Sequence, residues 1–250
     1  MQVHIVTWVV SFAVVIGVIA LDFFFHVRQP HVPSFRESVT WIAIYVSAAI
    51  LFGVGLGLAA GWSSAGEFFA GYFTEESLSL DNLFVFMLIM TKFRVPREAE
   101  QKVLLVGISL ALVLRAIFIL IGAAVIERLS AIFYLFGAFL VYTAVKLVVD
   151  HYRKNEATYK EPRLVTWLRR WLPTTPDYVS DRVVVRHEGK RHFTPLFMVM
   201  AAIGSTDLLF AMDSIPAIFG LTKEPYIVFM ANACALLGLR QLYFLIGGLI

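Results

Sequence analysis

Residues 76–86 read ESLSLDNLFVF, and residues 206–219 read TDLLFAMDSIPAIF. Each stretch sets two carboxylates, Glu76 with Asp81 and Asp207 with Asp213, inside a run otherwise apolar enough to cross a bilayer. A charge at that depth is costly, so it faces a partner, water or an ion. Four such acids in two similar segments point to a cation pathway.

The whole chain fits that setting. Of its 250 residues, 59% are hydrophobic and only 16% charged, a balance that belongs to a membrane protein. With about 20 apolar residues needed per crossing, seven spans are expected: Val6–Phe25, Thr40–Ala60, Glu67–Met90, Val103–Ile126, Ala131–Val149, Thr194–Gly220 and Tyr226–Ile250. The fold class is therefore an all-α, polytopic transmembrane bundle. The first run lacks a basic leader region and reads as a retained helix. The last stops inside an apolar run, which suggests a piece of a longer protein.

Basic residues set the expected orientation. Arg28 and Arg36, then Lys92, Arg94, Arg97 and Lys102, then ten Lys and Arg from Arg153 to Arg191 fall in alternate loops, against Arg128 and Lys223 on the other side. The positive-inside rule places the N-terminus outside and those loops in the cytoplasm. Topology alone explains the basic loops, so no nucleic-acid partner is inferred. Within the 151–193 loop, Trp167–Pro173 reads as a short interfacial segment and Val183–Phe193 as a β-hairpin turning at Glu188–Gly189.

Two longer units contain the acidic stretches. VLRAIFILIG places Arg115 in the helix after Glu76 and Asp81, and GLRQLYFLIG places Arg240 in the helix after Asp207 and Asp213. An offset of three helices reverses direction across the membrane, so residues 67–126 and 194–250 read as an inverted repeat within one transmembrane domain. Glu76 and Asp81 point about 140° apart on an unbroken helix. Either they meet different partners or the helix loosens near Ser77. Pro216 removes a backbone hydrogen bond and frees a carbonyl near Asp213.

The donor set narrows the ion. All six histidines lie at or beyond the expected helix ends, and Cys234 is the single cysteine. What remains is Glu76, Asp81, Asp207, Asp213, the Asn82 amide and the Ser214 hydroxyl, with Asp22, Glu67, Ser77, Arg115, Asn232 and Arg240 as supporting or gating residues. Such hard oxygen donors suit Mn2+, Ca2+ or Mg2+. Asp22 also reads as an interfacial acid beside His26, Arg28 and His31, and Glu67 as a solvated one. Counting four acids against two arginines leaves minus two, the charge a divalent cation neutralises. No nucleophile–base pair, phosphate loop or cofactor motif is present, so an enzyme is not expected.

GYFTE with ESLSLDNLFVF, VPRE, LRAIFILIG, FGAFLVYTAVK, TDLLFAMDSIPAIFG and NACALLGLRQLYFL resemble the TerC family of integral membrane proteins. The resemblance implies about nine helices, a link to tellurium resistance, and manganese export across the bacterial inner (cytoplasmic) membrane. It carries over Glu76, Asp81, Asn82, Asp207, Asp213 and Ser214, while Thr206 stands where many members have an acid. The expected function is manganese efflux through a midplane carboxylate site, with Mn2+ as substrate (Ca2+ the alternative), the lipid bilayer as surroundings and protons as counter-ions. The alternatives are a scaffold or assembly factor with structural acid–arginine pairs, and the handling of an anion such as tellurite.

Overall fold

A computed structural model describes residues 4–26, 33–128, 132–152, 163–187 and 190–248. Among them run eight helices and two strands: α1 (Ile5–His26), α2 (Phe35–Ala60), α3 (Trp62–Phe93), α4 (Arg97–Arg128), α5 (Ile132–Tyr152), α6 (Arg163–Trp171), β1 (Val184–His187), β2 (Lys190–Phe193), α7 (Pro195–Leu221) and α8 (Pro225–Gly247).

Local chemistry sets the ends. Ser34 and Glu37 form a reciprocal capping box that starts α2 five residues before the expected Thr40. Gly61, at φ +97°, turns the chain directly into α3, a conformation other residues rarely adopt. Arg94 closes α3 in the left-handed region, its N–H reaching the carbonyls of Met90 and Thr91. Pro195 and Pro225 open α7 and α8, where a missing N–H costs nothing. Pro216 sits inside α7 without ending it.

Five helices, α1, α2, α4, α7 and α8, are long and apolar enough to cross a membrane, among the described residues. The other two expected spans are the helices α3 and α5. Helix α3 has the length, about 48 Å at 1.5 Å per residue, but holds Glu67, Glu75, Glu76 and Asp81 along it. Helix α5 spans 21 residues, and its apolar stretch among the described residues is Tyr134–Thr143.

Helix α8 is the axis of the bundle, with 78% of its apolar window buried against 17% for α1. It packs on α2, α3 and α4, while α7 packs on α3 and α4. Phe68, Leu83, Phe86, Leu104, Ile203 and Phe229 fill the space between. Two glycines bring α4 and α7 together: a Cβ on Gly107 would meet Ile203 at 2.7 Å, and one on Gly204 would meet Leu110 at 2.7 Å. The outer faces expose Leu51, Leu58, Leu120, Ile121 and Val141. An apolar belt of that extent needs a lipid surrounding, not water.

The connection between α5 and α7 docks against the bundle. Helix α6 buries Val165 and leaves Trp167 and Trp171 exposed, their rings 6.3 Å apart. Strands β1 and β2 pair antiparallel, Val184 opposite Phe193; the expected turn at Glu188–Gly189 lies outside the described residues. Tyr178 Oη donates to the Phe93 carbonyl at 2.7 Å, and Lys102 Nζ donates to Asp181 through its carbonyl (2.7 Å) and Oδ2 (3.0 Å).

That last contact has a pH signature. The Lys102 hydrogen bond, followed by its charge, holds the Asp181 carboxyl below the usual carboxylate range, although burial opposes it. A depressed pKa means the stabilisation is full above the ordinary carboxylate value and lost as pH falls through the folded one. Docking of residues 174–183 is therefore expected to be unchanged between about pH 6 and 8 and to loosen below about 4. Hydrogen exchange in this segment across that range measures it, and Lys102→Met is expected to abolish the pH dependence.

Candidate functional site

Every fourth or third residue along α3, from Glu75 through Ser79 and Asn82 to Phe86, is buried. Asp207, Ala211, Ser214 and Ile218 repeat the spacing on α7. These are the inward stripes of two helices, and both aim a carboxylate at one guanidinium. Arg115, fully buried on α4, donates from Nε to Asp207 Oδ2 at 3.0 Å and from Nη2 to Oδ1 at 3.1 Å. Its Nη1 donates to Glu75 Oε1, to Asn232 Oδ1 of α8 at 2.9 Å and to Ser214 Oγ at 3.3 Å. Ser79 Oγ donates to Glu75 Oε1 at 3.3 Å, while Glu75 Oε2 is buried without a partner. Four helices thus meet at one ionic cluster.

The cluster gathers Arg115, Asp207, Ser214 and Asn232 from the expected set, with Asn82 buried on the same stripe about 10 Å along α3. It does not gather Glu76, Asp81 or Asp213 at the guanidinium. Its second acid is Glu75, the residue before Glu76. Helix α3 runs unbroken through Ser77, so it does not loosen there. Glu76 is half-buried, close enough to Glu75 for their charges to interact. Asp81 is exposed, and Asp213 is half-buried within electrostatic reach of Lys146 on α5. Ser77 is exposed, its hydroxyl donating to the Phe73 carbonyl at 2.8 Å.

A signal for Glu75 exists in the sequence. Aligning Asp81–Asn82 with Asp213–Ser214 and counting six residues back reaches Glu75 and Asp207. Pairing Glu76 with Asp207 is one residue, or 100° of helix, out of register.

Arg240 forms a separate site. Its Nη2 donates to Asp22 Oδ1 at 2.6 Å, joining α8 to α1. The pairing of Asp22 with Arg28 and His31 falls on residues outside the described set. Glu67 does not stand merely in solvent: its Oε2 accepts from Thr222 Oγ1 at 2.5 Å, tying α3 to the end of α7.

The buried charge is also redistributed. Asp22, Glu75 and Asp207 against Arg115 and Arg240 leave minus one, and half-buried Glu76 makes it minus two. Of eight buried side-chain atoms without a protein partner, among the described residues, one is Glu75 Oε2. The other seven belong to Ser38, Gln101, Arg240 and Gln241, where α2 and α4 begin and α8 ends. Buried amides left so are sites for water. No group of three or more His, Cys, Asp or Glu stands together, among the described residues.

Helix α1 touches the bundle sparsely, on α4 and α8, and its contacts with α8 include the Asp22–Arg240 pair, the Ser11–Tyr226 hydroxyls at 2.8 Å and the Trp8 and Phe12 rings against Phe229. Asp22→Ala is expected to cost about 3 kcal/mol by stranding a buried arginine. Asp22→Ala/Arg240→Met is expected to recover most of it, because no charge is left unpaired. Thermal unfolding in detergent checks both.

Comparisons with known proteins find membrane proteins. The chain is 47% identical over 245 residues to the membrane protein Rv2723 of Mycobacterium tuberculosis, covering 97% of this chain and 62% of that one. It thus spans about three-fifths of that relative's length. It is 41% identical over 213 residues to the thylakoid membrane protein TERC of Arabidopsis thaliana, covering 85% and 55%. It is 36% identical over 248 residues to Alx of Escherichia coli K12, described as a candidate membrane-bound redox modulator, covering 95% and 77%. No solved structure matches it at a significant level. Residues 60–250 match the profile of the integral membrane protein TerC family, the stretch that holds both acidic helices and both arginines. The chain is a multi-pass integral membrane protein and belongs to the TerC family.

Proposed function

We propose that the chain is a divalent-cation transporter that exports manganese from the cytoplasm. The observation that carries this is the convergence of Glu75 from α3 and Asp207 from α7, in two similar segments, on one buried spot lined by the oxygens of Ser214 and Asn232. Carboxylate, amide and hydroxyl oxygens are the donors that Mn2+ accepts, and Ca2+ accepts them too. Glu76, Asp81, Asn82 and Asp213 lie along the same two helices and serve as stations on the way to that spot. The packing among four helices supports a repeat, since exchanging α3 with α7 and α4 with α8 carries the α3–α8 contact onto α4–α7 and leaves α3–α7 and α4–α8 in place. The buried, unpartnered amides of Gln101 and Gln241 support water entry from the end carrying the basic loops. In this reading the N-terminus lies outside, the membrane is the inner (cytoplasmic) one, and protons move in exchange.

A scaffold reading draws support from one observation: both intramembrane arginines are paired with acids. Tellurite handling draws less. Two carboxylates occupy Arg115, and the cavity beside Arg240 is about 20 Å³, room for one water.

Manganese flux into proteoliposomes, followed with a trapped fluorophore, separates these readings. Asp81→Ala and Asp213→Ala lie off the Arg115 cluster and are expected to stop the flux while melting like the wild type. Unchanged flux in both would remove them from the path. A wild-type protein that moves no manganese would leave the scaffold.

A further inference from the structure

Arg115 sits where a cation belongs. Every group accepting a hydrogen bond from its guanidinium, Glu75, Asp207, Ser214 and Asn232, does so through an oxygen that could equally coordinate a hard metal ion. The acceptor set of the arginine and the ligand set of the transport reading are the same atoms. We infer that the Arg115 guanidinium is the internal counter-cation of this site, displaced from Glu75 and Asp207 by the divalent ion as it binds. The inference rests on the transport reading and adds how the site is kept between ions.

The physical need is plain. Without a resident cation, an empty site would hold two carboxylates in a bundle interior, and isolated buried charges are very costly. The guanidinium reduces that to minus one and cannot lose its proton near neutral pH. It holds Asp207 through two parallel bonds, the geometry in which arginine binds a carboxylate most firmly. Glu75 is held through Oε1 alone. Its other oxygen, fully buried and unpartnered, is a first contact for an incoming ion before the guanidinium lets go. From α4, Arg115 therefore reports to α3, α7 and α8 whether the site is loaded. The two carboxylates carry minus one with the guanidinium between them and zero with a divalent ion in its place; with the displaced guanidinium, still on α4, the total is plus one.

The test is a titration of the purified chain with Mn2+ alone, at about pH 8, following free Mn2+ by electron paramagnetic resonance. Arg115→Gln is expected to bind Mn2+ roughly tenfold more tightly than the wild type, because the competitor is gone. Its unfolding temperature, lower without metal, is expected to rise more than the wild type's when Mn2+ is added. If the wild type binds and Arg115→Gln binds equally or less tightly, the inference falls while the transport reading stands. If neither binds, the transport reading falls and takes the inference with it. Should Arg115→Gln not fold, Arg115→Lys keeps the charge but loses the two-pronged grip. It is expected to bind Mn2+ about threefold more tightly, and affinity at or below the wild-type value overturns the inference.

Discussion

Asp207→Ala is expected to lower stability by about 3–5 kcal/mol and to reduce manganese flux to that of empty liposomes. The mutation removes two of the five hydrogen bonds donated by Arg115 and leaves Glu75 as its one counter-charge, with Asn232 and Ser214 as neutral acceptors. Each lost bond is charge-assisted and worth about 1.5–3 kcal/mol, and Nε and Nη2 are left buried without an acceptor. Asp213, six residues on, is the control. It is half-buried, so Asp213→Ala is expected to cost under about 1 kcal/mol. Thermal unfolding of the two variants in the same detergent gives the comparison. Equal losses would mean that the cluster does not hold α4, α7 and α8 together.

The second large effect is steric. Gly107 receives the fully buried, β-branched Ile203 across the α4–α7 contact with no room for a Cβ, whereas Gly204 receives the tip of the exposed Leu110 side chain, which can turn aside. Gly107→Val is expected to cost about 1–3 kcal/mol by overpacking, and Gly204→Val about 1 kcal/mol because Leu110 can give way. The double variant is expected to fall short of the sum, since the first separation of the helices relieves the second clash. Function is expected to suffer more than stability. Arg115 is two turns beyond Gly107 on α4, and Asp207 is one turn beyond Gly204 on α7. Moving the helices apart therefore draws the guanidinium away from its carboxylate. Flux through either single variant measures this; wild-type flux would show that the close approach is packing alone.

These contrasts also explain what could be read from the sequence. The membrane class and the helical fold were legible because apolar runs of bilayer length leave few alternatives. Arg115, Asp207, Ser214 and Asn232 were legible because polar groups are conspicuous in such runs. Which acid faces inward was not. In a soluble helix the buried stripe stands out against a polar face, but here the lipid-facing side is apolar as well. Leu80 and Phe84 are exposed while Leu83 and Phe86 are buried, and hydrophobicity does not distinguish them. Glu75 and Glu76 are neighbours in sequence and 100° apart on the helix, so the assignment turned on one residue of register. The partner of Asp22 was hidden for another reason. Arg240 lies 218 residues away, and only the packing of α1 against α8 brings them together.

The measurement closest to the central claim is an anomalous-scattering map from crystals of the chain soaked in manganese. The account predicts a peak between Glu75 and Asp207, with the Arg115 guanidinium turned away from both. A map with no peak at that position, and the guanidinium still bridging the two acids at saturating manganese, would contradict it.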